Sequence, residues 1–253
     1  MKLGTNFRNL DTIFITHPHS DHTSGLAALM SDIYDAGRTT PVNIYGPPGT
    51  AASVRALVDY LTVSSDIRIS DGTRGVPAAT IFMGHDVGTG IIFQDANVKV
   101  AAVENTHFHF KPGSPGFGKY KSYSYRFDTP SRSVVFTGDT GPSDAVVTLA
   151  QGADLFVSEV AASIDEYKDV QIATGRWQAQ TPAQQADGIR HQIEEHLTPD
   201  EVGKMAQRAG VKAVVLTHLG ATTNPDDDYA RYVEQVKKSF NGQVYIAKDL
   251  MKF

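Results

Sequence analysis

The chain contains no cysteine among its 253 residues, which excludes disulfides and any thiolate-held metal centre. It also lacks an excess of positive charge. Its 23 lysines and arginines against 28 acidic residues leave a formal net charge of −5. Broad, sequence-independent binding of nucleic acid needs a basic surface, so only a local basic track fits this balance. No apolar run approaches the ~18 residues of a membrane span, and the N-terminus lacks the pattern of a signal peptide. No linker or strong internal repeat divides the sequence. What is present is a 41% hydrophobic composition, enough for a sizeable core and with no disordered segment by composition. The length suits one large domain or two small ones, and we take residues 1–253 as a single domain.

The chemistry concentrates early, in Thr16-His17-Pro18-His19-Ser20-Asp21-His22. The apolar run Ile13-Phe14-Ile15 precedes it and reads as a buried strand that ends at a surface. His17 and His19 are two positions apart, so extended backbone points them to one side. Asp21 and His22 fall at the turn into a helix that starts near Leu26. Imidazole and carboxylate suit zinc, manganese and iron. Four such groups at this spacing exceed what one tetrahedral ion with an open position can use, which points to two metals sharing the cluster.

Further on, strands alternate with helices, the pattern of a layered α/β architecture. The expected helices are 26–36, 51–61, 143–150, 199–209 and 225–240. Residues 64–90, broken by glycines, read as turns and short strands, with His85-Asp86 in a loop. Strands are expected at 41–46, 98–103, 122–127, 133–137, 153–159, 211–217 and 243–247. The strand over 98–103 continues toward Glu104-Asn105-Thr106-His107-Phe108-His109, which would put His107 and His109 on one face. A Gly/Pro loop with three lysines and two aromatics follows at 111–121. Asp139, Glu159 and His218 each come directly after or at the end of an apolar strand. His196 stands just before a helix start, where Thr198, Pro199 and Glu201 form a capping-box pattern. His191 reads as plain surface. Residues 163–195 are polar and suit a substrate-facing insert, with Trp177 lining a pocket or anchoring the insert.

These motifs closely resemble the signature of the metallo-β-lactamase-fold superfamily, and of its ribonuclease Z and arylsulfatase-like branch: the His-x-His-x-Asp-His run, the Tyr-Arg-Phe-Asp-Thr-Pro run with Gly-Asp-Thr after it, and the later histidines. The resemblance implies an α/β fold, the four-layer αβ/βα sandwich. Members carry several strands and an aspartate-bearing motif ahead of the His-x-His run, so the N-terminal sheet is expected to be incomplete. The resemblance further implies that one metal takes His17, His19 and His107, with His109 the alternative to His107. The other takes Asp21, His22 and His218, and Asp139 bridges the two. Two divalent ions, Zn2+ before Mn2+ or Fe2+, would then lower the pKa of a shared water. The implied catalytic residues are Asp21, which accepts a proton from the nucleophile, His196, which protonates the leaving oxygen, and Glu159, which orients His196.

An acid of this kind is needed where an alkoxide or phenoxide leaves, so the reading is a binuclear metal-dependent hydrolase of phosphodiesters or sulfate esters. A lactonase- or β-lactamase-like hydrolase is the first alternative, and a metal-binding but inactive homologue the second. The expected partner is a small anionic ester. Ribonuclease Z enzymes that process transfer RNA carry a long Gly/Pro-rich arm, whereas the loop at 111–121 is short, so nucleic acid is compatible but not favoured. A homodimer is compatible too. No membrane association is expected, and the compartment, cytoplasm or periplasm, stays open.

Overall fold

The computed structural model describes residues 6–224 and 226–253. Contacts within the chain gather into two units. One comprises the described residues through Gly88 together with Pro115–Lys121, and the other Thr89–Ser114 and Ser122–Met251.

The first unit holds a three-stranded parallel sheet. Strand β1 (Thr12–Phe14) leads into the one-turn helix α1 (Ser20–Thr23) and then α2 (Leu26–Asp35), β2 (Val42–Gly46), α3 (Thr50–Ser70) and β3 (Phe82–Asp86). Helix α2 buries Leu26, Met30 and Ile33, and α3 buries Val54, Val58 and Leu61. Both sets recur at helical spacing, and they meet Val42, Ile44 and Phe82 of the sheet in one apolar core. Helix α3 continues nine residues beyond the Leu61 end expected from the sequence. His85 is on β3 and not in a loop. Its Nε2 is 2.8 Å from Asn43 Oδ1, while Asp86 accepts from the Ala51 backbone N–H at 2.8 Å and so caps α3.

The second unit is built on a seven-stranded mixed sheet in the order β10-β9-β8-β7-β6-β5-β4. Its elements are β4 (Gly90–Gln94), β5 (Lys99–Glu104), β6 (Tyr123–Asp128), β7 (Ser133–Phe136), α4 (Asp144–Leu149), β8 (Leu155–Val160), α5 (Ile164–Ala173), α6 (Arg176–Ala179), α7 (Pro182–Glu194), α8 (Pro199–Ala209), β9 (Ala213–Leu219), α9 (Ala230–Val236) and β10 (Gln243–Ile246). Strand β8 lies parallel between β7 and β9 and is apolar along most of its length, as a strand covered on both faces must be. Helix α8 sets Val202, Met205, Ala206 and Ala209 into the core with Phe156, Val214 and Leu216.

Several expectations shift here. Strand β5 stops at Glu104, so His107 and His109 are not strand neighbours. The polar stretch 163–195 folds into α5, α6 and α7, the first and last opened by capping boxes at Ser163/Glu166 and Thr181/Gln184. At α8 the Thr198 hydroxyl accepts from Glu201 N–H at 3.4 Å, but the Glu201 carboxylate turns to Lys204 at 3.6 Å in place of closing the box. Helix α9 is shorter than the 225–240 expected, and Pro225 lies outside the described residues. Among the described residues no helix is long and apolar enough to cross a membrane.

Candidate metal centre

Direction decides where the reactive groups of the larger unit collect. Strands β7, β8 and β9 are mutually parallel, and β5 shares their direction because β6 runs antiparallel to both β5 and β7. Their C-terminal ends therefore open on one edge of the sheet, the place where α/β sheets receive ligands. His107 follows β5, Asp139 follows β7, Glu159 ends β8 and His218 sits near the end of β9.

Each of these side chains is held by named partners. Asn105, just past β5, spends its side-chain amide on Ser124 Oγ (3.2 Å) and the Thr137 carbonyl (3.1 Å), and its Oδ1 accepts the His107 backbone N–H at 3.2 Å. This bracket ties the end of β5 to β6 and β7. His107 is buried, and its Nδ1 donates to the Glu195 carbonyl at 2.9 Å. A carbonyl can only accept, so the proton sits on Nδ1 and the lone pair on Nε2, the arrangement usual for a metal-binding imidazole. His107, Asp139 and His196 each bring one ligand atom to within 4.8 Å of the others. His218 Nε2 is 3.6 Å from Asp139 Oδ2. His109, by contrast, is 41% exposed and faces Glu194 at 3.8 Å.

His218 is reached by a break in the ladder. Glu159 pairs with Thr217 and Val160 with Leu219, so His218 is an extra residue between them. It adopts a positive φ of 47°. A bulge of this kind re-aims a side chain at a strand end.

Glu159 is 2% exposed. It accepts the Thr140 backbone N–H at 2.9 Å and lies 3.0 and 3.2 Å from His196 Nδ1. Burial, reinforced by the neighbouring charge of Asp139, pushes its pKa well above the usual carboxylate range. The far nitrogen of His196 is 3.2 Å from His191 Nε2, and His191 Nδ1 is 2.8 Å from Glu195 Oε2. The hydrogen bond to Glu195 raises the His191 pKa. Burial pushes Glu195 up, but its bonds from His191 and then Arg190 more than offset this and hold it below the usual range. The result is an acid–imidazole–imidazole–acid chain, Glu159–His196–His191–Glu195. His191 is thus not plain surface. The signal that could have found it is its place on a Thr-Pro-capped helix, four residues before Glu195 and five before His196.

In the smaller unit the four ligand-type side chains occupy one turn after β1. His17 is fully buried, with Nε2 3.2 Å from His19 Nδ1 and Nδ1 3.2 Å from Thr16 Oγ1. The His17 and His22 rings stand 4.1 Å apart between centroids, and His22 Nε2 is 3.3 Å from Asp21 Oδ2.

The residues in each unit fit a divalent cation. Every donor is imidazole or carboxylate. Separations of 3.2 Å between His17 and His19 and 3.6 Å between Asp139 and His218 are those of ligand atoms around a tetrahedral ion with bonds of about 2.0–2.2 Å. The structure gathers Asp139, Glu159, His107, His196 and His218 within the larger unit, and His17, His19, Asp21 and His22 within the smaller.

A family model described as a beta-lactamase superfamily domain matches residues 1–219 of the chain. The ribonuclease Z of Archaeoglobus fulgidus is 30% identical over 274 residues, covering 98% of this chain and 81% of that protein. Among solved structures, the metallo-β-lactamase fold protein YhfI from Bacillus subtilis aligns with a TM-score of 0.61 at 21% identity, over 96% of this chain and 77% of its own. The short form of human tRNase Z aligns with a TM-score of 0.59 at 20% identity, over 99% and 81%. The α/β fold expected from the sequence is the one these structures share with it.

Proposed function

Because the chain belongs to the metallo-β-lactamase-fold superfamily of metal-dependent hydrolases, in its ribonuclease Z-like branch, we propose that it cleaves phosphodiester bonds in a binuclear site. The observation that carries this reading is the buried Glu159 carboxylate on His196 Nδ1. Such a pair is needed when a poor leaving group departs as an alkoxide or phenoxide, and much less when a strained lactam or lactone opens.

The proposed ligand set is the one the family resemblance implies: His17, His19 and His107 for one ion, Asp21, His22 and His218 for the other, and Asp139 for both. Zn2+ suits these donors best, with Mn2+ and Fe2+ as substitutes. When bound, the ions supply Lewis acidity toward water and toward the non-bridging oxygens of the ester. The chain's own groups handle the protons. Asp21 accepts one from the attacking water. His196 donates one to the leaving oxygen, and Glu159 fixes the ring and stabilises the charge that His196 carries. His191 adjoins His196 on the side away from Glu159.

A sulfate ester makes the same demand on His196 and belongs to the same reading. The net charge of −5 disfavours a large polyanion, so a small anionic ester is the proposed substrate. The Archaeoglobus relative is named for ribonuclease Z activity, which makes RNA the substrate to test beside it. The test is metal content of the purified protein, then turnover of bis-p-nitrophenyl phosphate, p-nitrophenyl sulfate and a lactone. Cleavage of the phosphodiester with two metals per chain is expected. Lactone opening without either nitrophenyl ester overturns the proposal, and so does bound metal without any turnover.

A further inference from the structure

The side chain of His196 is only 13% exposed. Its Nδ1 is held by Glu159 at 3.0 Å, and the rings of His107 and His218 stand 5.1 and 6.3 Å away between centroids. Its Nε2 is 3.2 Å from His191 Nε2. With Nδ1 engaged, Nε2 is the nitrogen from which the proposed acid must donate, and His191 faces it. The His191 side chain is 44% exposed. It therefore meets the enclosed acid on one side and solvent on the other.

The His191 ring is fixed in that position. Its Nδ1 donates to Glu195 Oε2 at 2.8 Å, four residues further along the chain and on the same helical face. Glu195 is itself held by Arg190 at 3.1 Å. The two imidazoles meet edge to face at 76°, with centroids 4.9 Å apart. Each is backed by a carboxylate at Nδ1 and turned toward the other at Nε2. An N–H···N contact has one donor and one acceptor, so a single proton lies between the rings.

We propose, resting on the acid role assigned to His196, that His191 is the proton relay between solvent and His196. It works through His196 and not on the substrate, as a positioning residue. As the P–O bond breaks, its electron pair stays on the leaving oxygen and the His196 proton bonds to that oxygen. His196 Nε2 then takes the proton of His191 Nε2, and His191 takes one from water. The proton that Asp21 accepts from the attacking water returns to solvent, so none is gained or lost over a cycle. Imidazole suits this task because one nitrogen exchanges its proton while the other stays bonded. Without His191, each new proton must reach a side chain that solvent barely meets.

Two variants separate relay from packing. His191→Gln keeps a long side chain that can donate to Glu195 but passes no proton, and His191→Ala leaves a gap. Both are assayed for kcat and KM on methyl phenyl phosphate and methyl p-nitrophenyl phosphate, with bound metal measured alongside. Exchange of the His196 ring N–H with water is followed by NMR in wild type and His191→Gln. We expect kcat on the phenyl ester to fall about tenfold in both variants, less than the ~100-fold of His196→Ala, with KM and metal content unchanged. The fall is smaller on the p-nitrophenyl ester, whose leaving group needs a proton less. Added imidazole restores turnover in His191→Ala and not in His191→Gln, where the gap is filled. Ring N–H exchange slows in His191→Gln. Slowed exchange in a protein that cleaves no ester upholds the relay and overturns the phosphodiesterase reading. Wild-type kcat in both variants with unchanged exchange overturns the relay and leaves the phosphodiesterase reading standing. An equal loss on the two esters that imidazole does not restore marks a packing role and overturns the relay as well.

Discussion

Replacing Glu159 separates what the carboxylate does for the fold from what it does for His196. In Glu159→Ala the buried Thr140 N–H loses its acceptor, at about 1–3 kcal/mol. The vacated space adds a further ~1 kcal/mol for the one lost methylene. A total near 3 kcal/mol corresponds to a fall in Tm of about 6–12 °C for a chain of this size. Glu159→Gln keeps the volume and one carbonyl oxygen for Thr140, and it removes a negative charge that burial and Asp139 already disfavour. Its stability should stay within about 1 kcal/mol of wild type. His196 fares differently, because the amide oxygen cannot serve both Thr140 and His196 as the carboxylate does, and it carries no charge to stabilise an imidazolium. Loss of such an outer partner lowers activity about 10–100-fold. Thermal denaturation and bis-p-nitrophenyl phosphate turnover of both variants, with bound metal measured on each, decide the matter. A Glu159→Gln protein with wild-type turnover would refute the positioning argument. Equal destabilisation by glutamine and alanine would refute the hydrogen-bond reasoning.

Three further outcomes follow from the same geometry. His196→Ala should lose at least ~100-fold in rate with metal retained, and a wild-type rate would remove its acid role. Asp139→Ala should lower the metal content measured by elemental analysis and abolish turnover, and dialysis of the wild type against EDTA should do the same until Zn2+ is restored. Asp154 holds Lys212 Nζ at 2.7 Å and the Ser133 N–H and Oγ at 2.7 and 3.0 Å, and those bonds, Lys212 first, depress its pKa far below the usual range. A depressed carboxylate stabilises the fold above its unfolded pKa and loses that effect as pH falls through the folded value. The Tm gap between wild type and Asp154→Asn should therefore be full at neutral pH and shrink below pH ~4; a gap that does not change with pH would sink the assignment.

The site was legible where chemistry and strand endings coincide. His17 through His22 stand out because four ligand-type residues follow an apolar run, and Asp139, Glu159 and His218 because each lies at the end of one. The fold was legible where burial imposes a period, as in β6, where Tyr123, Tyr125 and Phe127 alternate, and in α8. It was not legible where helices are held by few apolar contacts. The second half of α3 leaves Val63 and Ile67 exposed, so no apolar stripe marks its continuation to Ser70. Helix α7 buries only Gln192, and its start is written in Thr181-Pro182 and not in hydrophobicity. The pairing of His191 with His196 arises because α7 ends beside His196, and only the short spacing from His191 to Glu195 and His196 hints at it. The ladder break at His218 is silent, since nothing local distinguishes an in-register histidine from an inserted one.

That break has an evolutionary consequence. A β-carbon at φ 47° costs a non-glycine residue on the order of 1 kcal/mol, and His218 bears it in order to face Asp139. Glycine or asparagine at this position would relieve the cost and erase the imidazole in one step. With His218 in its proposed ligand role, heat resistance and turnover pull residue 218 in opposite directions, and a library screened for melting temperature alone should drift toward robust, idle protein at this position.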